Sequence, residues 1–165
     1  MLQKEFKLFP RNLNMLPESR LIKSELIIRE LALPDDVKLA RKSLIRWIAL
    51  SLGLVLPNES RKRLLDVLEA LIYFHVKKES PTTKDIIAKV QEITGKQPYE
   101  KAVYYHLLKL KESGLIVRKK GIYSFGDVPG KRLHEIVRDF YVLKMSHIFK
   151  NLDEAVMKLE DGYNL

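Results

Sequence analysis

Cysteine is absent from the 165-residue chain. That excludes disulfide frameworks, thiolate zinc sites, iron–sulfur clusters and cysteine nucleophiles. Histidine is scarce: His75, His106, His134 and His147 lie far apart with no HExxH-like pair, so no histidine-built metal centre is expected. A glycine-rich phosphate loop and a GxSxG elbow are missing, and the carboxylates are scattered, so neither an enzyme nor a cofactor is expected. Long apolar runs are missing as well. The most apolar stretch, Leu44–Leu56, has 13 residues and contains Arg46, whereas a spanning helix needs about 20. The first residues, MLQKEFKLFPRN, hold no apolar signal-peptide core. The expectation is a soluble cytoplasmic protein with no membrane partner.

What is present is enough apolar residue for a core and a marked basic excess. The hydrophobic fraction is 46% and the charged fraction 31%, which is unlike a disordered tail. Lys and Arg number 30 against 21 Asp and Glu, a net charge of +9. Such an excess suggests a polyanionic partner, a nucleic acid or an acidic membrane surface, and says nothing about fold. Abundant Lys, Glu and Ile without cysteine also fit a thermophilic source.

Prolines punctuate the first third at Pro10, Pro17, Pro34 and Pro57. Residues 1–16 read as irregular, and Ser19–Leu31 reads equally as helix or strand. Asp35 or Asp36 is placed to cap a helix to about Leu52, with Val37, Ala40, Leu44, Trp47, Ile48 and Ser51 on one face and Gly53 as its stop. Asn58 or Ser60 can cap the next, to about Lys78, striped by Leu64, Leu68, Leu71 and His75. Thr82-x-x-Asp85 is a capping box opening a helix to Thr94, with Ile86, Val90 and Ile93 inward and Gly95 as its left-handed end. Pro98 stands where a first helical residue belongs, and a third helix runs to about Ser113 with Val103, Leu107 and Leu110 inward and Gly114 after it. Leu115–Arg118 and Ile122–Phe125 read as strands joined through Lys119-Lys120-Gly121. A long helix follows from about Lys131 to Glu160, with Gly162 as its stop.

Helix, helix, glycine turn, helix and hairpin within about 70 residues is the order of a winged helix-turn-helix, in which two helices brace a third that is free to enter a major groove. The run Tyr104-x-His106-Leu107-x-x-Leu110-x-x-x-Gly114-Leu115-Ile116 resembles the recognition-helix signature of prokaryotic, archaeal-looking winged-helix regulators of the arsenical-resistance-repressor and antibiotic-resistance-regulator kind. The resemblance covers about residues 58–125 and implies duplex DNA as the ligand. Tyr104 stands where that signature usually has serine, so no base preference is carried over. Without cysteine, the arsenical repressors' metal sensing is not implied. The expected fold is therefore mainly α with a small β-hairpin: a mostly helical extension over residues 1–57, a winged helix-turn-helix over 58–126, and a long C-terminal helix over 127–165.

Charge falls where such a reader needs it. Lys96 to Tyr123 carries seven basic residues against two acidic, a balance of +5, while Ser124 to Leu165 carries six against seven. On the third helix Lys101, Tyr105 and Lys109 form a ridge opposite the apolar stripe, with Tyr104 beside it. The candidate DNA-binding residues are Lys96, Gln97, Tyr99, Lys101, Tyr104, Tyr105, Lys109, Arg118, Lys119 and Lys120, with the hairpin lysines on backbone phosphate. Lys38, Lys42 and Arg46, at i, i+4, i+8, either extend that track or form a solvated face.

The long helix carries two stripes. Leu133, Ile136, Val137, Phe140 and Leu143 suit packing on its own domain. Tyr141, Met145, Ile148, Leu152, Ala155, Val156 and Leu159 suit a second copy, and of these all but Ala155 are the candidate dimer interface. The reading is a homodimeric, sequence-specific transcriptional regulator. Two plainer readings stand beside it. The basic surface is a solvated face, or meets RNA or protein as a winged-helix module within a larger nucleic-acid-processing assembly; and the N-terminal helices cover the second stripe within one chain. His106, His75 and Trp47 are read as packing residues rather than ligands or stacking platforms.

Overall fold

The structure, a computed structural model, describes residues 15–59 and 62–164. A 3-10 turn at Pro17–Leu21 leads into extended chain and then α1 (Asp35–Leu39), α2 (Arg41–Ser51), α3 (Lys62–Lys77), α4 (Thr83–Thr94) and α5 (Glu100–Ser113). The hairpin β1 (Ile116–Lys119) and β2 (Ile122–Phe125) follows, then α6 (Leu133–Tyr163). The protein is thus mainly helical with one two-stranded antiparallel sheet. The irregular reading of residues 1–14 and Ser60 as a cap lie outside the described residues.

The centre is built by apolar residues at helical spacing. Leu64, Val67, Leu68 and Leu71 of α3, Ile86 and Val90 of α4, and Val103, Leu107 and Leu110 of α5 are all buried in one cluster. Ile116, Tyr123 and Phe125 close it from the hairpin, and Ile136 from α6. Ile45, Ala49 and Val55 belong to the same cluster, so α2 and the turn after it share this core. Ile93 and His75, expected inward, are half-buried, with the His75 ring edge-on to Phe125.

The capping box at α4 is built as the sequence predicts. The Thr82 N–H donates to the Asp85 carboxylate at 2.8 Å, and the Thr82 hydroxyl donates to it at 2.7 Å while accepting from the Asp85 N–H at 3.4 Å. Donation first from the Thr82 backbone, then from its hydroxyl, holds the Asp85 carboxyl below the ordinary value of 3.8. A carboxyl depressed in the folded state stabilises it above the unfolded-state value, and the contribution is lost as pH falls through the folded one. Thr82→Val, which loses the cap, is expected to cost about 1 kcal/mol at pH 7 in a denaturant titration. The difference between variant and parent should shrink as the pH is taken below 3.8.

The N-terminal expectations need correction. The single helix from Asp35 to Leu52 is broken at Ala40, whose φ of −117° and ψ of 116° are extended. Pro34 is the N-cap of α1, with Asp35 and Asp36 in its first turn. The break also interrupts the Lys38, Lys42, Arg46 ridge, and Lys38 is paired with Asp35 at 2.9 Å. The buried face of α2 is Ile45 and Ala49, with Leu44, Trp47, Ile48 and Ser51 only half-buried. Residues 22–34, expected as part of a mostly helical extension, are extended chain strapped across the end of α2. Arg29 N–H donates to Ser51 O at 2.8 Å, the Arg29 guanidinium donates to Leu50 O at 2.6 Å and Val55 O at 3.2 Å, and Trp47 Nε1–H donates to Ala32 O at 2.7 Å. The strap passes so close that a Cβ on Gly53, at φ +68°, would lie 2.7 Å from Ile27 Cβ.

Further on, α5 begins at Glu100 with Tyr99 as its N-cap, so buried Pro98 precedes the helix instead of opening it. The strand β1 runs one residue later than expected, Ile116 pairs with Phe125 and Lys119 with Ile122, and only Lys120 and Gly121 form the turn. Their φ values of +50° and +81° are those of a type I′ turn, whose twist matches the strands. In α6 the helix passes through Gly162 to Tyr163, so that glycine does not stop it.

Candidate nucleic-acid interface

The candidate surface is assembled by α5 and the hairpin that follows it. Burying Val103, Leu107 and Leu110 against the core leaves the other side of α5 outward, because those three residues occupy one stripe of a helix turning 100° per residue. Lys101, Tyr104, Tyr105 and Lys109 are exposed there, as are Lys96, Gln97 and Tyr99 in the turn before it. Arg118, Lys119 and Lys120 are exposed on the hairpin. All ten candidate contact residues therefore reach solvent, and neither the N-terminal strap nor α6 covers them. Leu108, half-exposed at 46%, lies among them and was not singled out by sequence. Its signal is position, four residues after Tyr104 on the outward stripe.

The hairpin is held beside α5 by its turn and by a bond to a distant segment. Gly114, left-handed at φ +83°, turns the chain directly from α5 into β1. The Tyr123 N–H donates to Pro81 O at 2.9 Å, which ties β2 to the linker between α3 and α4. Sequence patterning had no means of finding that bond, since it joins segments 42 residues apart. The Arg118 guanidinium lies 5.4 Å from the centre of the Tyr123 ring.

Not every cation is equally available. Lys109 Nζ is 2.9 Å from the Glu112 carboxylate and 5.8 Å from the Tyr105 ring centre. The hydrogen bond to Glu112 and its charge hold the Lys109 ammonium above its ordinary value. Lys119 Nζ is 2.8 Å from the Asp127 carboxylate. Both pairs are solvent-exposed, so each contributes little to stability and can yield to a stronger anion. His106 is half-buried on α5, its ring 5.2 Å from that of Tyr105.

The second candidate surface is on α6. Its first turns pack on the domain: Ile136 lies against Gly126, Phe140 against Gly114, and the Tyr141 hydroxyl donates to Leu52 O at 3.0 Å. Tyr141, expected in a dimer interface, is therefore buried within its own chain. Leu143, expected to pack on the domain, is instead exposed. Met145, Ile148, Leu152, Val156 and Leu159 are all exposed, on a helix that projects beyond the domain from residue 142 onward.

Comparison with protein-family models, with curated proteins and with solved structures gives no match. Among the described residues no helix is long and apolar enough to cross a membrane.

Proposed function

We propose that the protein is a double-stranded-DNA-binding transcriptional regulator of the winged helix-turn-helix kind, acting as a homodimer. In this reading α5 enters the major groove, α3 and α4 brace it, and the hairpin rests on the flanking backbone. The observation that carries the reading is the division of α5 into a fully buried apolar stripe and an exposed stripe of Lys101, Tyr104, Tyr105 and Lys109, continued by Arg118, Lys119 and Lys120. A solvated face needs no such alignment of tyrosine and lysine with a basic hairpin. Lysines neutralise phosphates and release counterions, which supplies affinity; Tyr99, Lys101, Tyr104 and Tyr105 meet base edges and nearby phosphates, which supplies choice of site.

The test is a mobility shift or anisotropy titration of genomic duplex fragments over a range of salt. With six phosphate contacts the slope of log K against log salt is expected near −5, about 0.9 per contact. A slope near zero, or capture of a stoichiometric protein with no duplex shift, rejects the reading. The ion pairs give a second expectation of unusual sign. Asp127→Asn and Glu112→Gln free Lys119 and Lys109 and remove negative charge beside the phosphates. Each should tighten duplex binding several-fold at 0.1 M salt, an effect that fades as salt rises.

A further inference from the structure

Leu108 is the one exposed aliphatic side chain of α5. Tyr104 and Tyr105, four and three residues before it, are its neighbours on the helix surface, about 40° and 60° to either side. Both tyrosines are 50% exposed, against 46% for Leu108. The three side chains form an apolar patch, and lysines stand around it. Lys109 follows Leu108 directly and Lys111 lies three residues on, both exposed.

A basic rim around an apolar centre matches the cross-section of a major groove. Phosphates line the two edges of the groove, and the base edges lie between them. On those edges guanine, adenine and cytosine present hydrogen-bond donors and acceptors, while thymine adds a C5-methyl group. A leucine pressed against a donor or acceptor would strip water from it and pair with nothing, which is costly. Against a methyl group the same leucine loses nothing and buries apolar surface on both sides.

We infer that Leu108 is a specificity-determining residue that packs on the C5-methyl of a thymine, with Tyr104 and Tyr105 screening the contact from water. The inference rests on the proposed entry of α5 into the major groove and goes beyond it by assigning one base to one side chain. 5-Methylcytosine carries the same methyl, but beside it stands an N4 amine donor where thymine has the O4 acceptor. Lys111, next to Leu108 on the helix surface, can only donate. Glu112, which could accept from that amine, is held by Lys109 at 2.9 Å. The site is matched to thymine rather than to methylated cytosine.

The test removes the methyl and nothing else. Duplexes of about 20 base pairs, two turns, are selected from a random pool by the full chain and remade with deoxyuridine in place of thymidine. The parent is expected to bind the uracil duplexes at least about fourfold more weakly, the contribution of one buried methyl group. Leu108→Gln, which keeps side-chain length and helix propensity, should bind the two forms within about twofold of each other, whereas Leu108→Met, which keeps an apolar reach, should retain the parental penalty. Both variants should fold as the parent does, because the position is half-exposed. An equal penalty in the parent and in Leu108→Gln overturns the inference, since the methyl would then be sensed elsewhere. Replacing the T·A pair in question by 5-methylcytosine·G should not restore binding, and restoration would overturn the choice of base. Retention of duplexes with no dependence on the methyl rejects this inference and leaves DNA binding standing; retention of no duplex at all rejects DNA binding, and the inference with it.

Discussion

Leu107→Ala is expected to destabilise the protein by about 2–5 kcal/mol, a large share of the ~5–15 kcal/mol that holds a domain of this size folded. Leu107 is fully buried on α5 in the one cluster that joins α3, α4, the hairpin and α6. Truncation removes its transfer energy and leaves a cavity that helices held by so many neighbours close only in part. The adjacent Leu108 is the control: it is 46% exposed, and its replacement by alanine should change stability by no more than about 0.5 kcal/mol. Urea melts followed by circular dichroism compare the two. Equal costs at the neighbouring leucines would mean that α5 is rotated from the placement that turns its lysines and tyrosines outward, and the candidate interface would go with it.

That rotation is also what sequence could read most securely, because a period of 3.6 repeated over four turns admits one inward face. The capping box was legible for a different reason. Thr82 and Asp85 satisfy each other within four residues, so no distant segment can overrule them. Where distant segments do intervene, the local signal misleads. Ala40 has the highest helix propensity, yet the chain is extended there, and a preference of tenths of a kcal/mol does not by itself set a helix boundary. The hairpin was displaced by one residue because its turn uses Lys120 at positive φ, a place where asparagine or aspartate would have announced it. Gly162 was read as a stop because glycine costs about 1 kcal/mol inside a helix. That cost is small enough for α6 to run on through Gly162 to Tyr163. Tyr141 fell at the boundary between two stripes of similar spacing, and only the Leu52 carbonyl, 89 residues away, shows which side it serves. The basic hairpin was legible as chemistry but not as availability, since the Asp127 partner of Lys119 comes from the loop beyond β2.

Removing four of the proposed phosphate contacts at once should have the largest effect on binding. Lys101→Ala, Lys109→Ala, Lys119→Ala and Lys120→Asn together are expected to reduce the salt slope by about 3.6 and to weaken duplex binding by about a thousandfold at 0.15 M salt. Asparagine is chosen at residue 120 because its φ of +50° suits asparagine and would strain alanine. The fold should survive, since all four side chains are exposed and the two ion pairs lost are surface pairs. The loss should be nearly uniform across duplex sequences, as phosphate contacts carry no base information. Tyr104→Ala, by contrast, leaves the lysines in place and should alter the ranking of sequences with little change in slope. If the fourfold variant kept the parental slope, the basic surface of α5 and the hairpin would be a solvated face, and the proposed interface would be wrong.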